Sequence, residues 1–217
     1  MGIPTIQPYP MPTEAELAPS VATWRPERHR AVLLVHDMQR YFVDFLPSGR
    51  PPVTELLSNV ARLRQTAATL EIPVVYTAQP SMSRDRRGLL CDVWGSGMAD
   101  DPDVRRIVAE AGQRPGDLVL DKFRYSAFHD SNLAELLAAA GRDQLVVCGV
   151  YAHIGCLITA SDAFARDIET FLVADAVADF SLDHHRMALD YAARLCAVTM
   201  TTRQLLSCLA DRHPVAR

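Results

Sequence analysis

Asp37, Lys122 and Cys156 are the side chains of this sequence best placed to do chemistry. Asp37 follows the apolar run AVLLVH directly, so its carboxylate falls at the rim of a buried strand. There it can act as a general acid or base, cap a helix, or answer a buried cation. The 22 basic residues comprise 21 arginines and one lysine, Lys122. Lys122 ends the run DLVLDK, and an ammonium there must enter a polar cavity or meet a carboxylate. Asp37 is the partner if the two strand ends lie close, as a catalytic pair or as a structural salt bridge. Cys156 follows GVYAHIG at the start of a helical pattern, where free backbone N–H groups would lower a thiol pKa. It reads equally as a small buried hydrophobe.

The loop SRDRRGLL adds Arg84, Arg86 and Arg87. Such a run is ordinarily solvated, but near a strand-end pocket one guanidinium can clamp a carboxylate bidentately. The stretch LLCDVW, with Trp94, would then cover that pocket. No metal site is expected: His184 and His185 are adjacent on a helical pattern, with no partner at ligand spacing. GxGxxG, GxxxxGK[ST] and GxSxG are absent from the sequence, and no cofactor is expected.

Six apolar runs position these groups: AVLLV (31–35), PVVYTAQ (73–79), DLVLDK (117–122), QLVVCGV (144–150), TFLVADA (170–176) and CAVTMT (196–201). They lack alternation, as strands buried on both faces do. Helical patterns intervene at 53–70, 102–112, 131–141, 155–167, 181–195 and 202–209. Ser131 and Ser181 stand at helix starts, and Gly112 and Gly141 at helix ends. The alternation predicts an α/β fold: one domain with a six-stranded parallel sheet and helices on both faces. Ligands of such sheets bind beyond the carboxyl ends of the strands. That directs attention to His36–Phe42, Thr77–Pro80, Lys122–Phe128 and Gly149–Cys156. Residues 1–29, with prolines at 4, 8, 10, 12, 19 and 26, are expected to form an arm held by Ile3, Ile6, Tyr9, Met11 and Leu17. Residues 30–210 form the domain and 211–217 a tail.

Over 217 residues, 49% hydrophobic and 22% charged is an ordinary globular composition. A net charge of −4 argues against a nucleic-acid binder. The N-terminus has neither a basic start nor an apolar core, so no signal peptide is expected, and no apolar run is long enough to cross a membrane. Five cysteines without a CxxC suggest neither a disulfide framework nor a thiolate zinc site, and a reducing cytoplasm fits them.

The segments AVLLVHDMQRYF, YTAQP, RGLL, WG, KFRYSAF, GRDQLVVCGVYAHIGC and FLVADAVADFS, taken in order, resemble the isochorismatase-like hydrolases. Most of that superfamily uses an Asp–Lys–Cys triad, with the nucleophile six residues after the glycine that ends the fourth strand. Asp37 and Lys122 match the triad, but the nucleophile position falls on Gly155. Cys156 is one residue too late, a rotation of about 100° on a helix. GVYAHIGC is similar instead to the vinyl-ether hydrolases of siderophore and phenazine pathways.

The resemblance implies a dianionic small-molecule substrate, isochorismate or 2-amino-2-deoxyisochorismate, whose enolpyruvyl ether is cleaved to pyruvate and a dihydro acid. Asp37 would protonate the vinyl carbon, and Lys122 would chiefly bind substrate oxygens, leaving Asp37 short of full pairing. Gln79, Arg87, Tyr151 and the Gly155 backbone would hold polar groups, and Phe42 and Trp94 would form apolar walls. A cis peptide at Val150–Tyr151, a homodimer, and a free-standing form without a carrier domain are further expectations of the resemblance. The alternative is a cysteine amidohydrolase of the same fold using Cys156.

Overall fold

The computed structural model describes residues 2–210; the expected tail at 211–217 lies outside them. Six strands form one parallel sheet: β1 (Ala31–His36), β2 (Val74–Ala78), β3 (Leu118–Asp121), β4 (Gln144–Val150), β5 (Glu169–Ala178) and β6 (Val198–Met200). Their order is β3-β2-β1-β4-β5-β6. β1 is wholly buried and pairs with β4 from Ala31↔Gln144 to His36↔Gly149. Its side chains divide between two cores. Ala31, Leu33 and Val35 join one, with Leu56, Val60 and Leu63; Val32 and Leu34 join the other, with Leu133, Leu137 and Leu157. A strand buried on both faces has no polar face to alternate with, which accounts for the unbroken apolar run.

The helices are α1 (Arg40–Val43), α2 (Val53–Thr69), α3 (Arg84–Arg87), α4 (Leu90–Trp94), α5 (Pro102–Arg105), α6 (Leu133–Ala139), α7 (Leu157–Phe164), α8 (Leu182–Leu195) and α9 (Thr202–Ala210). Ser181 caps α8 by accepting from His184 N at 3.2 Å. The capping position of α6 is Asn132 rather than Ser131, whose hydroxyl accepts from Leu133 N at 3.3 Å. Within the arm, Ile6 and Tyr9 are buried, and Ile3 and Met11 pack on the same core.

Three expectations need correction. The helix expected over 102–112 stops at Arg105. Its apolar spacing was helical, but Ile107 pairs with Gln39 and Val108 N donates to Met38 O at 2.8 Å. Backbone bonds to the loop after β1 replace helical ones, and tertiary contact overrides propensity. The helix expected from Gly155 begins earlier, as a π-turn over Ala152–Cys156, and continues as α7. The Arg-rich loop folds into α3 and α4, with Ser83 capping α3.

Candidate active site

Between β1 and β4 the sheet changes the direction in which strands are added, and the chain there opens a crevice at the strand ends. A cavity open to solvent lies in it, lined by Asp37, Phe42, Gln79, Arg87, Trp94, Lys122, Tyr151 and Gly155, together with Ile3, Tyr41, Leu90, Tyr125, Val150, Ile154 and Phe180. The sequence-predicted site residues are thus brought to one place.

Asp37 leaves β1 with a left-handed backbone, φ 49°. Its amide donates to Thr77 Oγ1 at 3.1 Å, and Thr77 Oγ1 donates to Asp37 Oδ1 at 2.6 Å. The second oxygen, Oδ2, meets Lys122 Nζ at 2.8 Å, with both side chains almost wholly buried. Lys122 also donates to Arg124 O at 2.8 Å. Burial pushes the Asp37 carboxyl up, but the Lys122 ammonium and the bonds from Lys122 and Thr77 outweigh it and hold it below its ordinary value. In this structure both carboxylate oxygens of Asp37 have partners, Thr77 on Oδ1 and Lys122 on Oδ2. Two ions out of water must answer each other until a ligand intervenes.

Gln39 was not singled out in the sequence. Its buried amide clamps Gln79 from both sides, accepting from Gln79 N at 2.7 Å and donating to Gln79 O at 3.0 Å. A second donation to Arg105 O at 2.7 Å ties down the segment that departs from helix. Arg87 is buried while Arg84 and Arg86 are exposed; its Nε donates to Gly95 O at 2.8 Å. The Tyr151 hydroxyl donates to Phe42 O at 2.6 Å, so the ring is what Tyr151 presents to the cavity. Trp94 Nε1 donates to Tyr125 Oη at 2.8 Å, and the Trp94 and Tyr151 rings both meet Phe180 edge-on. Peptide 150–151 is cis, as expected.

Cys156 is fully buried in the core below α7 and is not part of the cavity wall. Burial raises its thiol well above the ordinary value, outweighing the Lys122 charge. Cys156→Ala is accordingly expected to keep most activity and to cost on the order of 1 kcal/mol of stability. Iodoacetamide at neutral pH should leave the rate unchanged. Loss of turnover in a folded Cys156→Ala protein would reverse this assignment.

His184 does find neighbours, contrary to the sequence reading: ligand atoms of His153, Asp179 and His184 lie within 4.8 Å of one another. The two imidazoles stack, 15° apart in plane, so their in-plane lone pairs run side by side instead of converging. Asp179 is already committed, accepting from His153 N at 2.6 Å and Phe180 N at 2.7 Å. The cluster reads as a brace for the π-turn and for Phe180.

A family model described as an isochorismatase domain matches residues 31–204. The chain belongs to the isochorismatase family. It is 53% identical over 212 residues to the isochorismatase of Bacillus subtilis (strain 168), covering 97% of this chain and 68% of that protein. It is 52% identical over 206 residues to the phenazine biosynthesis protein PhzD of Pseudomonas fluorescens, covering 94% and 99%. The fold also matches a cysteine hydrolase of Pseudomonas syringae pv. phaseolicola 1448A, with TM-score 0.76, 22% identity and coverage of 88% and 97%. At 22% identity the likeness to the cysteine hydrolase bears on the fold alone.

Proposed function

We propose that this protein is an isochorismatase-type hydrolase that cleaves the enolpyruvyl ether of isochorismate or 2-amino-2-deoxyisochorismate. The observation that carries the reading is a buried Asp37–Lys122 pair beside a position, Gly155, that has no side chain, with the nearby thiol of Cys156 out of reach. Such a site has an acid and no nucleophile. A vinyl ether needs only that: protonation of its terminal methylene gives an oxocarbenium ion, water adds to the cationic carbon, and the hemiketal collapses to pyruvate and the ring alcohol.

Substrate entry changes the pairing of Asp37. One substrate carboxylate takes up Lys122, water leaves the cavity, and a second negative charge lies beside Asp37. Each change favours the protonated carboxyl. Asp37 therefore takes a proton from solvent as the dianion binds and passes it to carbon. Gln79, held by Gln39, and Arg87, steadied by Gly95, supply polar contacts, while Phe42, Trp94 and the Tyr151 ring exclude water. Arg87 offers its Nη groups for a carboxylate.

Offering both compounds and following pyruvate release tests the reading. Turnover of at least one supports it; pyruvate from neither overturns it. Similar identities to relatives named for isochorismate cleavage and for phenazine biosynthesis support keeping both substrates. The protein acts in the cytoplasm, in keeping with five free cysteines. It works as a homodimer; light scattering showing a monomer at micromolar concentration would overturn that assignment.

A further inference from the structure

His36 is a buried polar side chain beside the acid pair to which the mechanism above gives no task. It ends β1, directly before Asp37, and its ring nitrogen Nδ1 lies 3.8 Å from Asp37 Oδ2. Two glycines close around it. Gly149 has φ 116°, and a Cβ built there would run into the His36 carbonyl oxygen. A Cβ built at Gly155 would overlap the ring itself at Cε1 and come within 2.9 Å of both ring nitrogens. The ring has nowhere to retreat: it is fully buried, and Nδ1 is held by Val150 O at 2.9 Å. Because a carbonyl oxygen only accepts, that bond places a proton on Nδ1. Burial pushes the imidazole pKa down to about 4, so the group is neutral at physiological pH.

Position 155 lines the cavity together with Asp37 and Lys122. A nucleophilic side chain there would have a carboxylate and an ammonium as neighbours, the surroundings that activate a thiol or hydroxyl. We propose that His36 determines the reaction class of this site: its ring occupies the volume into which any side chain at 155 would project, so the acid pair meets substrate with no nucleophile beside it. The inference deepens the acid-catalysis reading and rests on it for its purpose. His36 here is a specificity-determining residue that acts through position 155.

The test is a double-substitution cycle on the full chain, comparing Gly155→Cys, His36→Ala and the two together. Gly155→Cys alone is expected to lower Tm by roughly 5–10 °C, because a buried overlap must be relieved by shifting packed atoms. Adding His36→Ala should restore at least half of that loss, since the new side chain fills the space the ring leaves. In the double variant the introduced thiol should react with iodoacetamide at neutral pH, its sulfur bonding to the methylene carbon as iodide leaves. Peptide mapping should show alkylation at 155 at least about tenfold faster than at Cys156, which is buried away from the cavity. If Gly155→Cys yields no folded protein, the double variant decides: folded with a reactive thiol supports the proposal, and unfolded or unreactive overturns it. A single Gly155→Cys variant with unchanged Tm, and a thiol equally reactive with and without His36, also overturns it. Neither readout uses substrate, so a failure to release pyruvate would count against the function and not against this role of His36.

Discussion

Asp37→Asn is expected to stay folded, at a cost in stability because the buried Lys122 ammonium loses its counter-charge, and to lose roughly 10²–10⁴ of kcat, the range for a positioned general acid. The left-handed backbone at residue 37 is one that Asn accepts as readily as Asp. The carboxamide can also keep both neighbours, its oxygen accepting from Lys122 and its nitrogen donating to Thr77 Oγ1. Shape and packing therefore survive, and what disappears is the proton. Binding offers an independent readout. The free enzyme holds Asp37 ionised, because Lys122 and Thr77 outweigh burial. A dianionic ligand reverses that balance, so wild-type protein should take up close to one proton when it binds a saturated ether analogue at neutral pH. Calorimetry in buffers of different ionisation enthalpy measures this uptake, and Asp37→Asn should show none. More than about a tenth of wild-type kcat in the variant, or no proton uptake by wild type, would remove Asp37 from the role.

The strand ends named from the sequence alone do line the cavity, because an unbroken apolar run identifies a two-sided buried strand and parallel sheets bind ligands where such strands stop. Asp37 and Lys122 were legible for that reason, whereas Gly155 was named through the family resemblance. Polar residues within or just after those runs were equally visible yet went unused. Thr77 and His36 are buried polar groups at strand ends, and each had to have a partner or a purpose. Gln39 gave no signal that separates a backbone clamp from a surface amide. Ile3 reaches the cavity from the N-terminal arm, by packing that no local pattern encodes, whereas Phe180 stands just past the carboxyl end of β5, where the same rule applies. The segment over 102–112 shows the converse. Val104, Ile107, Val108 and Ala111 keep a helical spacing, but the loop after β1 claims the backbone of residues 107 and 108. Periodicity reports which side chains go inward, and here two backbone geometries satisfy the same inward set.

Lys122→Ala should raise KM by about 10- to 100-fold, the loss of a roughly 1.5–3 kcal/mol hydrogen bond to a charged group, with a smaller effect on kcat. It should also destabilise the protein, because removing one member of a buried ion pair strands the other. The pH dependence of that loss is the sharper test. In wild type the Asp37 carboxyl is held below its unfolded value of about 3.9, so its contribution to stability is present above that pH and fades as pH falls through the folded value. Without Lys122, burial becomes the dominant influence and moves the folded pKa above the unfolded one. The sign then inverts: the contribution is present in acid and is lost as pH rises through the new folded value. Denaturant titrations should therefore find the variant closest to wild type in mild acid and furthest from it at neutral pH and above. The limb on which kcat/KM declines with rising pH should move upward for the same reason, since Asp37 keeps its proton longer. Lys122→Arg should rescue poorly, because a planar fork cannot replace one compact ammonium that serves both Asp37 Oδ2 and Arg124 O at 2.8 Å. A fall in kcat of several orders at unchanged KM would instead make Lys122 itself the proton donor.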